Sequence, residues 1–157
     1  MHFSKLELRI AAVGITVRIA LYLAMMVAVG GEANAISGDA DYLHYLASLN
    51  ALDYAYGRTD WEKLIDDAWP VVIGMVYYYI YPSLNVIVVL NGLAAGLALV
   101  LLFRIVLMTT SNRLVAVAVG YTVALFPSAV FFQCLPIKES IAMLSIMSTT
   151  WGCCGCD

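Results

Sequence analysis

The sequence contains few charged residues. Asp, Glu, Lys and Arg make up only 12% of its 157 residues, whereas soluble domains carry about 25%. Hydrophobic residues account for 63% of the chain, and the mean hydropathy is +0.89. This balance excludes an ordinary water-soluble domain and indicates a protein that folds in a lipid bilayer.

Other protein classes are excluded by further absences. The net charge is −3 and no dense run of Lys and Arg occurs, so a nucleic-acid-binding protein is not expected. The four cysteines give no disulfide framework, because Cys134 lies in an apolar stretch while Cys153, Cys154 and Cys156 crowd at the end. We expect this tail to mark a truncated or frame-shifted reading frame.

The long apolar runs predict an all-α, polytopic integral membrane protein, with residues 1–157 forming a single membrane domain. It would have about three full transmembrane helices and a partial fourth, at residues 10–30, 84–108, 114–132 and 140–151. Pro82 and Ser83 separate the second span from residues 71–81, because proline removes a backbone donor and disfavours helix before it. We expect residues 71–81 to form a short re-entrant or interfacial helix.

A cleaved signal peptide is the alternative for the first run, since Lys5 and Arg9 precede it. Its apolar segment of about 20 residues, however, exceeds the roughly 7–15 residues of a signal peptide core. We therefore predict a transmembrane helix.

Basic residues predict the orientation of the spans. They precede the first span and flank the turn between the second and third: Lys5, Arg9, Arg104 and Arg113. Placing these residues in the cytoplasm satisfies the positive-inside rule. The acidic loop at residues 31–69 and the turn containing Lys138 and Glu139 then share the extracytoplasmic face.

The first candidate site is the start of an amphipathic helix in this acidic loop. Apolar and aromatic residues recur at helical spacing and predict a helix along the membrane surface: Tyr42, Leu43, Leu46 and Leu49. Asp39 and Asp41 lie near its start, where they can serve simply as an N-cap and a first-turn acid. The functional alternative is a carboxylate that takes a proton from a hydroxyl or holds a divalent cation.

The second candidate site is the turn after Pro136. Lys138 would bind a lipid-linked phosphate as a point charge, and Glu139 would hydrogen-bond to substrate or metal. The alternative is a solvated loop with no binding role.

Other residues are interpreted structurally. Arg18 lies inside the first span, and we expect its long side chain to reach the membrane surface. His44 has no second His or Cys at metal-ligand spacing, so no zinc site is predicted. Gly92 and Gly96 predict close helix packing. An interfacial aromatic belt is predicted at Trp69, Tyr77, Tyr78, Tyr79 and Tyr81.

Taken in order, several short motifs resemble the N-terminal part of the GT-C glycosyltransferases, the lipid-carrier-dependent group that includes protein O-mannosyltransferases and aminoarabinose transferase-like enzymes. The resemblance covers roughly residues 5–150. It rests on Gly38-Asp39-Ala40-Asp41-Tyr42, Leu46-Ala47, Trp69-Pro70, Leu125-Phe126-Pro127-Ser128 and Leu135-Pro136-Ile137-Lys138-Glu139-Ser140.

The resemblance implies an inverting sugar transfer on the extracytoplasmic face. The donor would be a polyprenyl- or dolichyl-phosphate-linked sugar, and the acceptor a hydroxyl of a glycan, lipid or protein. Asp39 would be the general base, with Asp41 as the second choice. Lys138 would bind the carrier phosphate, and Glu139 would orient the acceptor, the base or a cation. The resemblance specifies no cofactor, and it leaves open whether Mg²⁺ or Mn²⁺ is needed.

The sequence also departs from this family. Its members have many more spans, and the His-Pro-Pro-type signature of several subfamilies is reduced to Trp69-Pro70. We therefore expect a fragment that is inactive alone, with a prokaryotic plasma membrane as the default location. The alternatives are a small non-catalytic membrane protein with an acidic partner-binding loop, or part of a transporter or flippase. A transporter is less favoured because the candidate residues lie at one interface rather than at the bilayer midplane.

Overall fold

The computed structural model describes residues 4–28, 38–58, 68–126, 130 and 139–154, with the backbone alone at residues 38–40, 139, 140 and 154. Within these ranges the protein is all-helical and has no strand. The six helices are α1 (Lys5–Ala28), α2 (Gly38–Ala55), α3 (Ala68–Tyr79), α4 (Leu84–Thr110), α5 (Arg113–Leu125) and α6 (Glu139–Cys154). By length and composition, α1 and α4 could each cross a membrane. The all-α prediction is thus confirmed for the described part of the chain.

The predicted break at Pro82 and Ser83 is present. Helix α3 ends at Tyr79 and α4 begins at Leu84. The Ser83 hydroxyl caps α4 by accepting a hydrogen bond from the Asn85 backbone N–H at 3.3 Å. Such a cap satisfies one of the amide groups that a helix leaves unpaired at its start.

A tight turn joins α4 to α5. Ser111 adopts the left-handed conformation with φ of 51°, and its N–H donates to the Leu107 carbonyl at 2.9 Å. The Asn112 side chain then accepts hydrogen bonds from the N–H groups of Leu114 and Val115. These caps end one helix and start the next within two residues.

Helix α5 covers the first part of the span predicted at residues 114–132, and residues 127–129, 131 and 132 lie outside the described residues. It ends at Leu125, and Phe126 is extended, with φ of −62° and ψ of 119°. Pro127 explains this end, because the residue before a proline is disfavoured in helical conformation. Thirteen helical residues rise about 20 Å, less than the roughly 30 Å hydrocarbon core.

Helices α1, α4 and α5 pack together around one apolar cluster. Its buried members come from all three helices: Ile10, Leu99, Phe103, Ala116 and Ala124. Gly96 allows α1 and α4 to approach closely, since a Cβ atom there would lie 2.7 Å from Ile15 Cδ1. The packing role predicted for the glycine pair is therefore confirmed at Gly96. Helix α6 packs on α4.

Helices α2 and α3 form an antiparallel pair. Leu43 and Ala47 of α2 pack with Ile73 and Tyr77 of α3, and Ile87 of α4 joins this cluster. The opposite side of α2 carries a stripe of exposed apolar and aromatic side chains at alternating spacings of three and four residues. The stripe comprises Tyr42, Tyr45, Leu49 and Leu52 and continues to Tyr56, just after the helix. A helix is present where the sequence predicts an amphipathic one, and apolar or aromatic side chains lie both on its side facing α3 and on its exposed side.

Candidate functional site

The two candidate acids lie at the beginning of α2. Because the helix begins at Gly38, Asp39 and Asp41 both fall within its first turn, where the helix dipole favours negative charge. The Asp41 side chain is exposed. The Asp39 side chain lies outside the described part of the structure. The assignment of either acid as a base stays a prediction.

A hydrogen bond fixes this part of α2 to α3. His44 Nδ1 and the Tyr77 hydroxyl oxygen lie 2.8 Å apart, and the two rings meet edge to face with centroids separated by 5.4 Å. Tyr77 is only 3% exposed, and this burial raises the pKa of its hydroxyl to about 12. The hydroxyl therefore stays protonated near neutral pH. It donates to Nδ1 in the tautomer with the ring proton on Nε2 and accepts from Nδ1–H in the other tautomer.

Close backbone packing adds to this anchorage. A Cβ atom at Gly74 would lie 2.6 Å from Asn50 Cβ, 3.1 Å from the Ala47 carbonyl oxygen and 3.2 Å from the Ala51 nitrogen. Glycine is thus needed for α3 to lie so near the backbone of α2. Together with the His44 hydrogen bond, this contact sets where the first turn of α2 stands.

The α2–α3 pair is attached near one end of the α1–α4 pair. Tyr77 shares a buried cluster with Ile87, in the first turn of α4. At the same end, the Tyr22 hydroxyl of α1 donates to Asn85 Oδ1 of α4 at 2.9 Å. The acidic start of α2 is therefore held where α1 ends and α4 begins, which is the boundary of the two helices that could cross a membrane.

The second predicted site is described only in part. Lys138 lies outside the described residues, and Glu139 is the first residue of α6, with its side chain also outside them. Later in α6, the Trp151 ring lies 5.7 Å from the Arg104 guanidinium carbon. The approach of Asp39 or Asp41 to Lys138 and Glu139 stays a prediction.

The described ranges contain few side chains that could bind a metal ion together. No group of three or more His, Cys, Asp or Glu residues there could hold a metal ion. Three of the predicted site residues have side chains outside those ranges, so the Mg²⁺ or Mn²⁺ option stays untested.

Arg18 is placed differently from the sequence prediction. Its side chain is 1% exposed and does not reach the surface. The Nη1 group donates to the Gly14 carbonyl at 2.9 Å and to the Ala124 carbonyl at 3.3 Å. Ala124 belongs to the last turn of α5, whose carbonyls lack partners within the helix. Arg18 therefore caps α5 with a positive charge, as its dipole favours.

An ion pair that was not predicted from the sequence lies near the other end of α1. Glu7 Oε1 accepts a hydrogen bond from Arg104 Nε at 2.5 Å, and Oε2 accepts one from Nη2 at 3.2 Å. The sequence contains a signal for the burial of both Arg18 and Glu7. They belong to a stripe of buried residues of α1 spaced by three or four positions, which comprises Glu7, Ile10, Gly14, Arg18 and Tyr22.

Comparison with protein-family models, curated proteins and solved structures gives no match. The resemblance to GT-C glycosyltransferases thus rests on the short motifs quoted above. Functional assignment depends on the residues of this chain and on how its helices position them.

Proposed function

We propose that the chain is the N-terminal, membrane-embedded part of an inverting GT-C-type glycosyltransferase. It would transfer a sugar from a polyprenyl- or dolichyl-phosphate carrier to an acceptor hydroxyl on the extracytoplasmic face. The observation that carries the proposal is the anchorage of α2. Its acidic first turn is held by His44, Tyr77 and Gly74 at the boundary of the α1–α4 pair.

The chemistry requires a carboxylate at this boundary. An acceptor hydroxyl gives its proton to the carboxylate, and its oxygen attacks the anomeric carbon. The bond from that carbon to the carrier phosphate breaks, and the phosphate leaves with the electron pair. A general base must lie within about 2.6–3.2 Å of the proton it removes. Asp39 is the first choice and Asp41 the second, with Lys138 on the leaving phosphate and Glu139 orienting the acceptor, base or cation.

The exposed stripe of α2 supports an interfacial location. Three of its five members are tyrosines, namely Tyr42, Tyr45 and Tyr56, and tyrosine is enriched where hydrocarbon meets water. A lipid-linked phosphate sits at that same depth. A helix lying there would present its first-turn acids to the headgroup rather than to the bilayer midplane.

The test uses membranes that contain the protein expressed from its full natural reading frame. A panel of labelled polyprenyl-phosphate sugars serves as donors, and release of the carrier phosphate is measured together with product configuration by NMR. We expect inversion. Replacing the base, by Asp39→Asn or Asp41→Asn, should lower the rate by about 10²–10⁴-fold.

Asp53→Asn is the matched control, because Asp53 lies on the same helix about 20 Å from Asp39. It should retain wild-type activity. Transfer with retained configuration, or full activity in both Asp39→Asn and Asp41→Asn, would contradict the proposed mechanism. If the full reading frame transfers no sugar from any donor, a non-catalytic protein with a partner-binding acidic loop becomes the better account.

A further inference from the structure

A polar cleft opens at the end of the helix bundle away from α2. It has a volume of about 400 Å³ and lies between the start of α1, the end of α4 and the start of α5. Its lining is divided between an apolar wall of Leu6, Phe103 and Leu107 and a polar rim of Glu7, Arg104 and Arg113. A cleft with both kinds of lining suits an amphipathic ligand.

The carboxylate of Glu7, the acidic residue of this cleft, already has hydrogen-bond partners. Both oxygens of the Glu7 carboxylate accept hydrogen bonds from Arg104, and Oε2 also accepts one from the Ser4 backbone N–H at 2.6 Å. Its charge is therefore compensated by a fixed partner. Arg104 is held in place from another side by the Trp151 ring, 5.7 Å from its guanidinium carbon.

The remaining charge at the cleft is positive. Arg113 lines it with an exposed side chain, and no carboxylate among the described residues pairs with its guanidinium. Lys5 and Arg9 project from the first turns of α1 and are also exposed. An anion that enters the cleft would meet the five donors of Arg113 in a fixed planar arrangement, which matches phosphate oxygens.

We propose that this cleft binds the phosphate diester of an anionic phospholipid. The headgroup phosphate would contact Arg113, while the glycerol and first acyl carbons would lie against Phe103 and Leu107. The predicted orientation places this end at the cytoplasmic leaflet, whose anionic lipids attract basic side chains near the surface. This site does not depend on the glycosyltransferase proposal.

The test measures lipid binding to the purified full chain in a neutral detergent by native mass spectrometry. Phosphatidylglycerol is titrated, with phosphatidylcholine and inorganic phosphate at equal concentrations as separate arms. We expect phosphatidylglycerol to bind in preference to both. Arg113→Gln should weaken its binding about tenfold, as expected for loss of one charge-assisted contact. Arg113→Lys, which keeps the charge but loses the planar donors, should bind with an affinity between those of the wild type and Arg113→Gln.

Arg58→Gln is the control, because Arg58 is an exposed arginine that stacks on Tyr56 beyond α2. It should bind phosphatidylglycerol like the wild type. Raising the salt concentration should weaken the binding of phosphatidylglycerol to the wild-type protein, because salt screens exposed charges. This measurement does not depend on how any variant folds. The inference is wrong if Arg113→Gln and Arg58→Gln have equal effects or if phosphatidylcholine binds as tightly. Equal binding of inorganic phosphate would instead identify a free-phosphate site and refute the lipid assignment.

Discussion

Replacing Gly74 by alanine should push α2 away from α3. The new Cβ atom would lie 2.6 Å from Asn50 Cβ and 3.1 Å from the Ala47 carbonyl oxygen. Restoring ordinary van der Waals contact at about 3.4 Å requires the helices to separate by about 0.8 Å. The same shift would lengthen the 2.8 Å contact of His44 and Tyr77 to about 3.6 Å, which is too long for a hydrogen bond.

The expected change in the free energy of unfolding is the sum of two destabilising contributions and one stabilising contribution. Overpacking costs about 1–3 kcal/mol, and loss of the hydrogen bond costs about 1 kcal/mol. Alanine gains about 1 kcal/mol of helix propensity over glycine. The net destabilisation of Gly74→Ala is therefore about 1–3 kcal/mol. For a chain of this size each kcal/mol lowers Tm by about 2–4 °C, measurable by circular dichroism in detergent.

Gly92→Ala is the matched control. A Cβ atom at Gly92 would lie 3.9 Å from both Ile15 Cγ2 and Ile19 Cγ1, which is ordinary contact. Only the propensity gain remains, so this variant should be as stable as the wild type or more stable by up to about 1 kcal/mol. Finding Gly74→Ala as stable as Gly92→Ala would refute the close contact of α2 and α3. If the proposed function holds, Gly74→Ala should also slow transfer by up to about 10²-fold through misplacement of the acids.

Two further predictions concern polar side chains. The pKa of Tyr77 in the folded protein is about 12, whereas its ordinary value is 10. The contribution of the protonated Tyr77 hydroxyl to the free energy of unfolding is therefore complete below pH 10 and is lost as the pH rises to about 12. This loss of about 2–3 kcal/mol should be absent in Tyr77→Phe when unfolding is compared between pH 9 and 12. At the other end, Glu7→Gln and Arg104→Gln should each destabilise the protein by about 3 kcal/mol, because each removes one partner of a poorly exposed ion pair. Their double variant should be more stable than additivity gives; an additive result in this cycle would mean that the two groups do not interact.

Local signals in the sequence predicted the helix boundaries best. Pro82 and Ser83 predicted the break between α3 and α4 because proline chemistry and capping act within a few residues. Within the span predicted at residues 114–132, the apolar run continues past Leu125, whereas α5 ends at Leu125, two residues before Pro127. Hydropathy alone does not detect the effect of a proline on the backbone of the residue before it.

The role of Arg18 could not be predicted from local pattern, because it depends on a contact between residues far apart in the sequence. Its long-range acceptor, the Ala124 carbonyl, lies 106 residues away. That carbonyl is available because α5 ends one residue later, and no local pattern in the sequence predicts which side chain reaches it. The apolar pattern also did not distinguish the two faces of α2. Tyr42 and Leu43 both fit this pattern, yet Leu43 packs against α3 whereas Tyr42 is exposed.

The two proposed sites can be tested separately because they lie at opposite ends of the α1–α4 pair. The Tyr22–Asn85 hydrogen bond marks one end and the Glu7–Arg104 ion pair lies near the other. The 15 residues from Glu7 to Tyr22 rise about 22 Å along α1. Coulomb interactions between exposed charges are largely screened beyond about 10 Å, so a charge removed at one end acts on the other only through helix packing. A substitution that alters both sugar transfer and lipid binding has therefore disturbed the α1–α4 interface, whereas effects confined to one assay support a site at that end.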